Sequence, residues 1–150
     1  MSISQKSAWI QFLIFAGVIV GWMVLFAVNG TVFYWLDETM KMTFYYISAA
    51  GFAALVTMNL IMSLLGERRR IASDERDKAI WRRASLWATA VSYTTVAILL
   101  LLTSILYMKQ SSEAISVYFP LFIVVIGGVT LLLTQSIVAI VLYGRNMSYA

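Results

Sequence analysis

Residues 66–83 read GERRRIASDERDKAIWRR and carry most of the charged side chains of this 150-residue chain. On the N-terminal side, 25 uncharged residues separate Lys41 from Glu67. On the C-terminal side, another 25 separate Arg83 from Lys109. An α-helix needs about 20 apolar residues, each rising about 1.5 Å, to cross the hydrocarbon core of a bilayer. Two segments that are long enough to span a membrane therefore flank the charged stretch.

Two further uncharged windows complete the pattern, with 30 residues between Lys6 and Asp37 and 31 between Glu113 and Arg145. Hydrophobic residues make up 61% of the chain and charged residues 12%, whereas soluble domains are about half apolar and a quarter charged. A soluble domain of this size could not bury so much apolar surface. We therefore predict an all-α membrane protein, a single domain over residues 1–150 embedded in a lipid bilayer, with transmembrane helices at residues 8–28, 43–65, 84–107 and 117–143.

The basic residues predict the orientation of these helices. Nine Lys and Arg residues lie in the N-terminal segment, the loop 66–83 and the C-terminal segment, against two, Lys41 and Lys109, in the other loops. Lysine and arginine in short loops are retained in the cytoplasm. The prediction is a four-helix antiparallel bundle with both termini and the loop 66–83 in the cytoplasm. The first span is longer than the apolar core of a signal peptide, about 7–15 residues, so we expect it to be retained.

A helix is predicted to begin near Asp74. Serine or aspartate at a helix start accepts hydrogen bonds from free backbone N–H groups, and acidic residues in the first turn match the positive end of the helix dipole. Asp74 and Lys78 are four residues apart and share one helical face. We expect this helix to run without a break into the third span. Spans two and three then form a hairpin in which residues 68–70 face residues 74–77.

No charged residue lies within any predicted span. Ion-coupled transporters generally keep an ionisable residue at membrane depth, although placing it there costs about 3 kcal/mol or more. The absence of such a residue argues against an ion-coupled transporter.

The small and weakly polar residues in the spans cluster by helical phase, which favours close helix packing. The alternative is the lining of a solute cavity, in which Asn59 and Gln135 supply the hydrogen bonds. The residues with either packing or cavity roles are Gly17, Gly21, Asn59, Ser92, Thr103, Gly127, Gly128 and Gln135.

The chain has no cysteine and no histidine, which excludes disulfides and thiolate or imidazole metal sites. The eight methionines would suit copper(I), but without cysteine or histidine they are better interpreted as flexible apolar filler. The serines and threonines lack a histidine base, and the adjacent Asp37 and Glu38 would point apart in an extended segment. We therefore predict no catalytic residue, no metal site and no cofactor. The net charge of +4 reflects the orientation of basic loops, and nucleic-acid binding is not predicted.

The stretch DERDKAIWRRA at residues 74–84 resembles a signature of small prokaryotic four-helix membrane proteins to which no activity is assigned. In that signature D-E-R-D is followed by isoleucine, a basic residue and alanine, which lead into the third span. The resemblance implies a prokaryotic cytoplasmic (inner) membrane location and a regulatory or accessory role. The matching residues here are Asp74, Glu75, Arg76, Asp77, Ile80, Arg83 and Ala84.

Three functions remain open from the sequence. The first is a non-enzymatic accessory factor, regulator or complex subunit that acts by protein–protein contacts, within a homo-oligomer or a larger membrane complex. The second is a small oligomeric transporter or channel for an uncharged or weakly polar solute, and the third is immunity against a membrane-active peptide. The charged residues could also be only a capped helix start. In the first case the partner contacts are Arg68, Arg69, Arg70, Asp74, Glu75, Arg76, Asp77, Arg82 and Arg83.

Overall fold

The computed structural model describes residues 3–29, 38–69, 75–109 and 118–147. All of them lie in four α-helices: α1 (Ile3–Asn29), α2 (Glu38–Arg69), α3 (Glu75–Lys109) and α4 (Tyr118–Met147). Each helix is long and apolar enough to cross a membrane. The predicted all-helical class and the four long apolar helices are confirmed. The orientation of the termini stays a prediction.

The helix α3 joins the charged segment to the third predicted span without a break, as expected. It begins at Glu75 and carries Glu75 and Asp77 in its first turn, where acidic side chains stabilise the positive end of the helix dipole. The predicted cap at Asp74 lies outside the described residues. With 35 residues, α3 is about 52 Å long, which exceeds the hydrocarbon thickness of about 30 Å. Part of α3 would therefore extend beyond the apolar layer of a membrane.

The chain divides into two compact units, Met1–Asp74 and Glu75–Ala150. Each unit is a pair of antiparallel helices, α1 with α2 and α3 with α4. The predicted closure of all four helices into one bundle stays a prediction.

Aromatic side chains hold α1 against α2. The rings of Trp22 and Phe44 stack with centroids 4.7 Å apart, and those of Phe15 and Phe52 meet edge to face at 5.6 Å. The later residue of α1, Trp22, meets the earlier residue of α2, Phe44, so the two helices are antiparallel. Gly51 allows the close approach, because a Cβ at this position would overlap the side chain of Val18.

Ile80 and three small residues form the face of α3 that packs against α4. Ile80, Ala84, Ala88 and Ser92 are spaced every four residues and are all buried, so they form one continuous face of α3. Small side chains let two helices approach closely, which increases the dispersion contacts between them. On α4 the approach depends on Gly127, because a Cβ there would lie 2.8 Å from Cγ2 of Val96.

Candidate functional site on the charged turns of α3

The predicted partner contacts fall into four groups. Glu75, Arg76, Arg82 and Arg83 are exposed on the first turns of α3, whereas Asp77 is half-buried. Arg68 and Arg69 belong to the last turn of α2, but their side chains are not described. Arg70 and Asp74 lie outside the described residues. The exposed residues of α3 are therefore the part of the predicted contact surface that the structure defines.

Asp77 is engaged inside the α3–α4 pair. The hydroxyl of Tyr143 donates a hydrogen bond of 2.9 Å to Oδ1 of Asp77. Tyr143 is buried, and a buried tyrosine hydroxyl normally requires a hydrogen-bond partner. The carboxylate of Asp77 therefore fixes the end of α4 against α3. This contact was not predicted from the sequence.

Four other charged residues of α3, Glu75, Lys78, Arg82 and Arg83, line an open groove with a volume of about 600 Å³. We call it the basic groove. Its described lining residues all belong to α3 and all are exposed. They recur at intervals of three and four residues, which places them on one helical face. The residues are Glu75, Lys78, Ala79, Arg82, Arg83 and Leu86.

The basic groove lies on the side of α3 that faces away from α4. At 100° per residue, the centre of the groove is about 180° from the face formed by Ile80, Ala84 and Ala88. That face packs against α4 and is buried. One side of α3 therefore stabilises the helix pair, and the opposite side presents charged groups to the surroundings.

The basic groove has a positive charge excess, since Lys78, Arg82 and Arg83 face a single carboxylate, Glu75. Within the described ranges, none of these three cations has an ion-pair or hydrogen-bond partner. A guanidinium presents five N–H donors in a planar fork, and an ammonium group presents three. This arrangement suits an anion with several acceptor oxygens, such as a carboxylate or a phosphate ester.

Lys78 and Leu86 are members of the basic groove that were not among the predicted contact residues. The signal was present in the sequence, because Lys78, Arg82 and Leu86 follow one another at intervals of four residues. Such spacing places side chains on neighbouring turns of one face. The sequence did not show which face of α3 packs against α4 and which face stays exposed.

Three of the predicted packing or cavity residues form hydrogen bonds across the α3–α4 interface. The Nε2 amide group of Gln135 donates to Oγ of Ser85 at 2.8 Å, and the hydroxyl of Ser92 donates to the carbonyl oxygen of Gly127 at 2.8 Å. Together with the Asp77–Tyr143 bond, these bonds repeat about every two turns along the pair. They satisfy polar groups that lipid could not solvate.

The remaining packing or cavity residues differ in their surroundings. Gly21 faces α2, because a Cβ there would lie 3.1 Å from Cγ2 of Ile47, whereas no atom lies within 4 Å of a Cβ at Gly17. Gly128 is half-buried. The hydroxyl of Thr103 donates to carbonyl oxygens of its own helix. Asn59 is exposed on α2.

In the α1–α2 pair, the polar contact is centred on Ser48. Nε1 of Trp22 donates a hydrogen bond of 3.2 Å to Oγ of Ser48, whose hydroxyl donates to the carbonyl oxygen of Phe44 at 2.7 Å. Ser48 is buried, so this contact is structural. The hydroxyl of Ser48 and the indole N–H of Trp22 are thus used for packing between α1 and α2.

No protein-family model matches the chain, and no curated protein or solved structure matches it either. The resemblance of residues 74–84 to a family of small prokaryotic membrane proteins therefore stays a prediction.

Proposed function

We propose that the chain is a non-enzymatic multi-pass protein of a prokaryotic cytoplasmic membrane, which acts as an accessory, regulatory or structural subunit through protein–protein contacts. In this proposal both termini and the loop 66–83 lie in the cytoplasm. The observation that carries it is the exposure of Glu75, Arg76, Arg82 and Arg83 on α3, on turns that continue an apolar helix. Charged groups held by a long helix form a rigid surface for a partner.

The length of α3 supports a surface that projects beyond the hydrocarbon layer of a membrane. A helix about 52 Å long has more residues than the hydrocarbon layer requires. The charged residues are confined to its first nine positions and its last residue, Lys109. The charged turns would therefore project from the membrane in a fixed direction. Flexible loops lose more conformational entropy on binding than such a preformed helix does.

Asn59 supports the presence of neighbouring protein within the membrane. Its side chain is exposed on α2 between Val56 and Leu60, which are 62% and 60% exposed. An amide group facing hydrocarbon is unfavourable, and asparagine side chains in membranes form hydrogen bonds across helices. We propose that Asn59 contacts a further helix, which belongs to the α3–α4 pair, to a second copy of the chain or to another subunit.

Purification at native expression levels in a mild detergent tests the proposal. The expected result is a complex that contains a second copy of the chain or a distinct partner in fixed ratio. Replacing Arg68, Arg69 and Arg70 by glutamate should abolish recovery of the partner while leaving membrane insertion intact. Lys6→Glu is the matched control, because Lys6 is an exposed cation at the start of α1.

Two results would contradict the proposal. Recovery of the wild-type chain only as a monomer would exclude a stable subunit role. Partner recovery that is equal for the triple variant and for Lys6→Glu would show that Arg68, Arg69 and Arg70 do not form the contact.

A further inference from the structure

The basic groove ends where α3 changes from charged to apolar. Lys78 and Arg82 lie one turn apart, and Leu86 follows on the next turn with 66% of its surface exposed. After Arg83, no charged residue occurs before Lys109. Basic side chains at the ends of spans extend toward the polar interface of a membrane. In a bilayer, Arg82 and Arg83 would therefore lie at the level of the lipid phosphates.

The size of the groove matches a ligand larger than a single ion. Its volume of about 600 Å³ lies within the range of roughly 300–1,000 Å³ that is common for small-molecule sites. One end carries cations, and the other end is formed by Leu86. A ligand that fills the groove must therefore be anionic at one end and apolar at the other.

We infer that the basic groove binds the headgroup of an anionic phospholipid, with the phosphate against Lys78, Arg82 and Arg83 and the acyl chains along α3 beyond Leu86. Each cation can donate charge-assisted hydrogen bonds to phosphate oxygens. The Glu75 carboxylate, on the turn before Lys78, can accept a hydrogen bond from a headgroup hydroxyl. This site adds a lipid ligand to the protein contacts proposed above, and it rests on the same membrane insertion.

The position of the groove favours a lipid over the other anions that it could attract. A soluble phosphate would gain nothing from the apolar surface of Leu86. An acidic protein segment could reach Lys78, but to cover Leu86 it would have to enter the hydrocarbon region. A phospholipid meets both requirements, because its phosphate and its acyl chains lie at these two depths.

The test uses the purified full-length chain in a neutral detergent, titrated with phosphatidylglycerol and followed by native mass spectrometry. Each basic residue near an anionic lipid surface changes affinity by about fivefold, so the double variant Lys78→Gln and Arg82→Gln should bind about 25-fold more weakly. Arg76→Gln is the matched control, because Arg76 is exposed on the same helix but does not line the groove. The affinity of Arg76→Gln for phosphatidylglycerol should change by less than the roughly fivefold change expected for one basic residue near an anionic lipid surface.

Further arms identify the ligand and control for folding. Phosphatidylcholine, whose headgroup is neutral overall, should bind weakly, and glycerol phosphate should not compete with phosphatidylglycerol. The double variant Lys78→Arg and Arg82→Lys keeps both charges and should retain phosphatidylglycerol binding. Circular dichroism of every variant should match that of the wild type.

Three outcomes would overturn the lipid site: equal binding of the two phospholipids, equal losses in the groove variant and in Arg76→Gln, or competition by glycerol phosphate. Loss of a protein partner from the groove variant with lipid binding unchanged would assign the groove to that partner instead. Extraction of the wild-type chain from membranes by alkaline carbonate would refute the proposed membrane function itself. Retention in the membrane without lipid selectivity would refute only the site.

Discussion

Replacing Gly127 by alanine tests how closely α3 and α4 pack. A Cβ on Gly127 would lie 2.8 Å from Cγ2 of Val96 and 3.7 Å from Oγ of Ser92. Carbon atoms pack best about 3.5–4.0 Å apart, so the added methyl group requires a displacement of about 1 Å. Val96 cannot easily yield, because a β-branched side chain has one strongly preferred rotamer in a helix. The helices must therefore separate locally, which also stretches the hydrogen bond from Ser92 to the Gly127 carbonyl.

The expected magnitude follows from two opposing contributions. Overpacking lowers the free energy of unfolding by about 1–3 kcal/mol, while the higher helix propensity of alanine raises it by up to about 1 kcal/mol. Gly17→Ala is the matched control, because no atom lies within 4 Å of a Cβ at Gly17. The difference between the two alanine variants therefore isolates the clash, about 1–3 kcal/mol.

The assay is equilibrium unfolding of the purified chain in mixed micelles with increasing sodium dodecyl sulfate, followed by circular dichroism. Adding Val96→Ala removes the Cγ2 atom that the new methyl group meets. In a double-mutant cycle, the second substitution should restore about 1 kcal/mol or more of the stability lost on Gly127→Ala. The reasoning is refuted if Gly127→Ala is no less stable than Gly17→Ala, or if the cycle shows no coupling.

Three further predictions concern the polar contacts and the topology. A double-mutant cycle of Ser85→Ala and Gln135→Ala should give a coupling free energy of about 0.6 kcal/mol, typical of hydrogen bonds between membrane helices; a value of zero in the unfolding assay would contradict the observed bond. Tyr143→Phe, which removes only the hydroxyl that donates to the α3 carboxylate, should lower the free energy of unfolding by about 1 kcal/mol, and stability equal to the wild type would argue against that contact. Because the chain has no cysteine, single cysteines report topology directly: in intact cells a membrane-impermeant maleimide should label Thr39→Cys but not Glu75→Cys, and the reverse pattern would exclude the proposed orientation.

The sequence was sufficient to predict the class of the fold. Four uncharged windows of 25 residues or more can be hidden from water only by lipid or by a much larger core, and helices satisfy their own backbone hydrogen bonds in lipid. The continuity of α3 was also predictable, because the acidic residues after Ser73 favour a helix start and no helix-breaking residue follows. The helix ends were less predictable: α2 spans Glu38–Arg69, beyond the predicted residues 43–65, because backbone hydrogen bonds continue past the apolar stretch.

Part of the candidate site was also visible in the sequence. Arg82 and Arg83 were predicted contacts, and both line the basic groove. Lys78 also lines the groove but was not among the predicted contact residues. Asp77, a predicted contact, accepts a hydrogen bond from Tyr143 within the α3–α4 pair, and its contact with a partner stays a prediction. A charged segment of sequence does not reveal which side of its helix is covered by another helix.

What the sequence by itself determined is which segments lie in helices and which residues share a helical face, since both depend on local spacing and local composition. Only the tertiary structure decided that Gln135 meets Ser85, that Gly21 but not Gly17 touches α2, and that the groove faces away from α4. These features depend on the rotation and the register of one helix against the next. Rotation and register are set by the summed packing of side chains far apart in the chain, such as Val96 against Gly127, and no local pattern contains that sum.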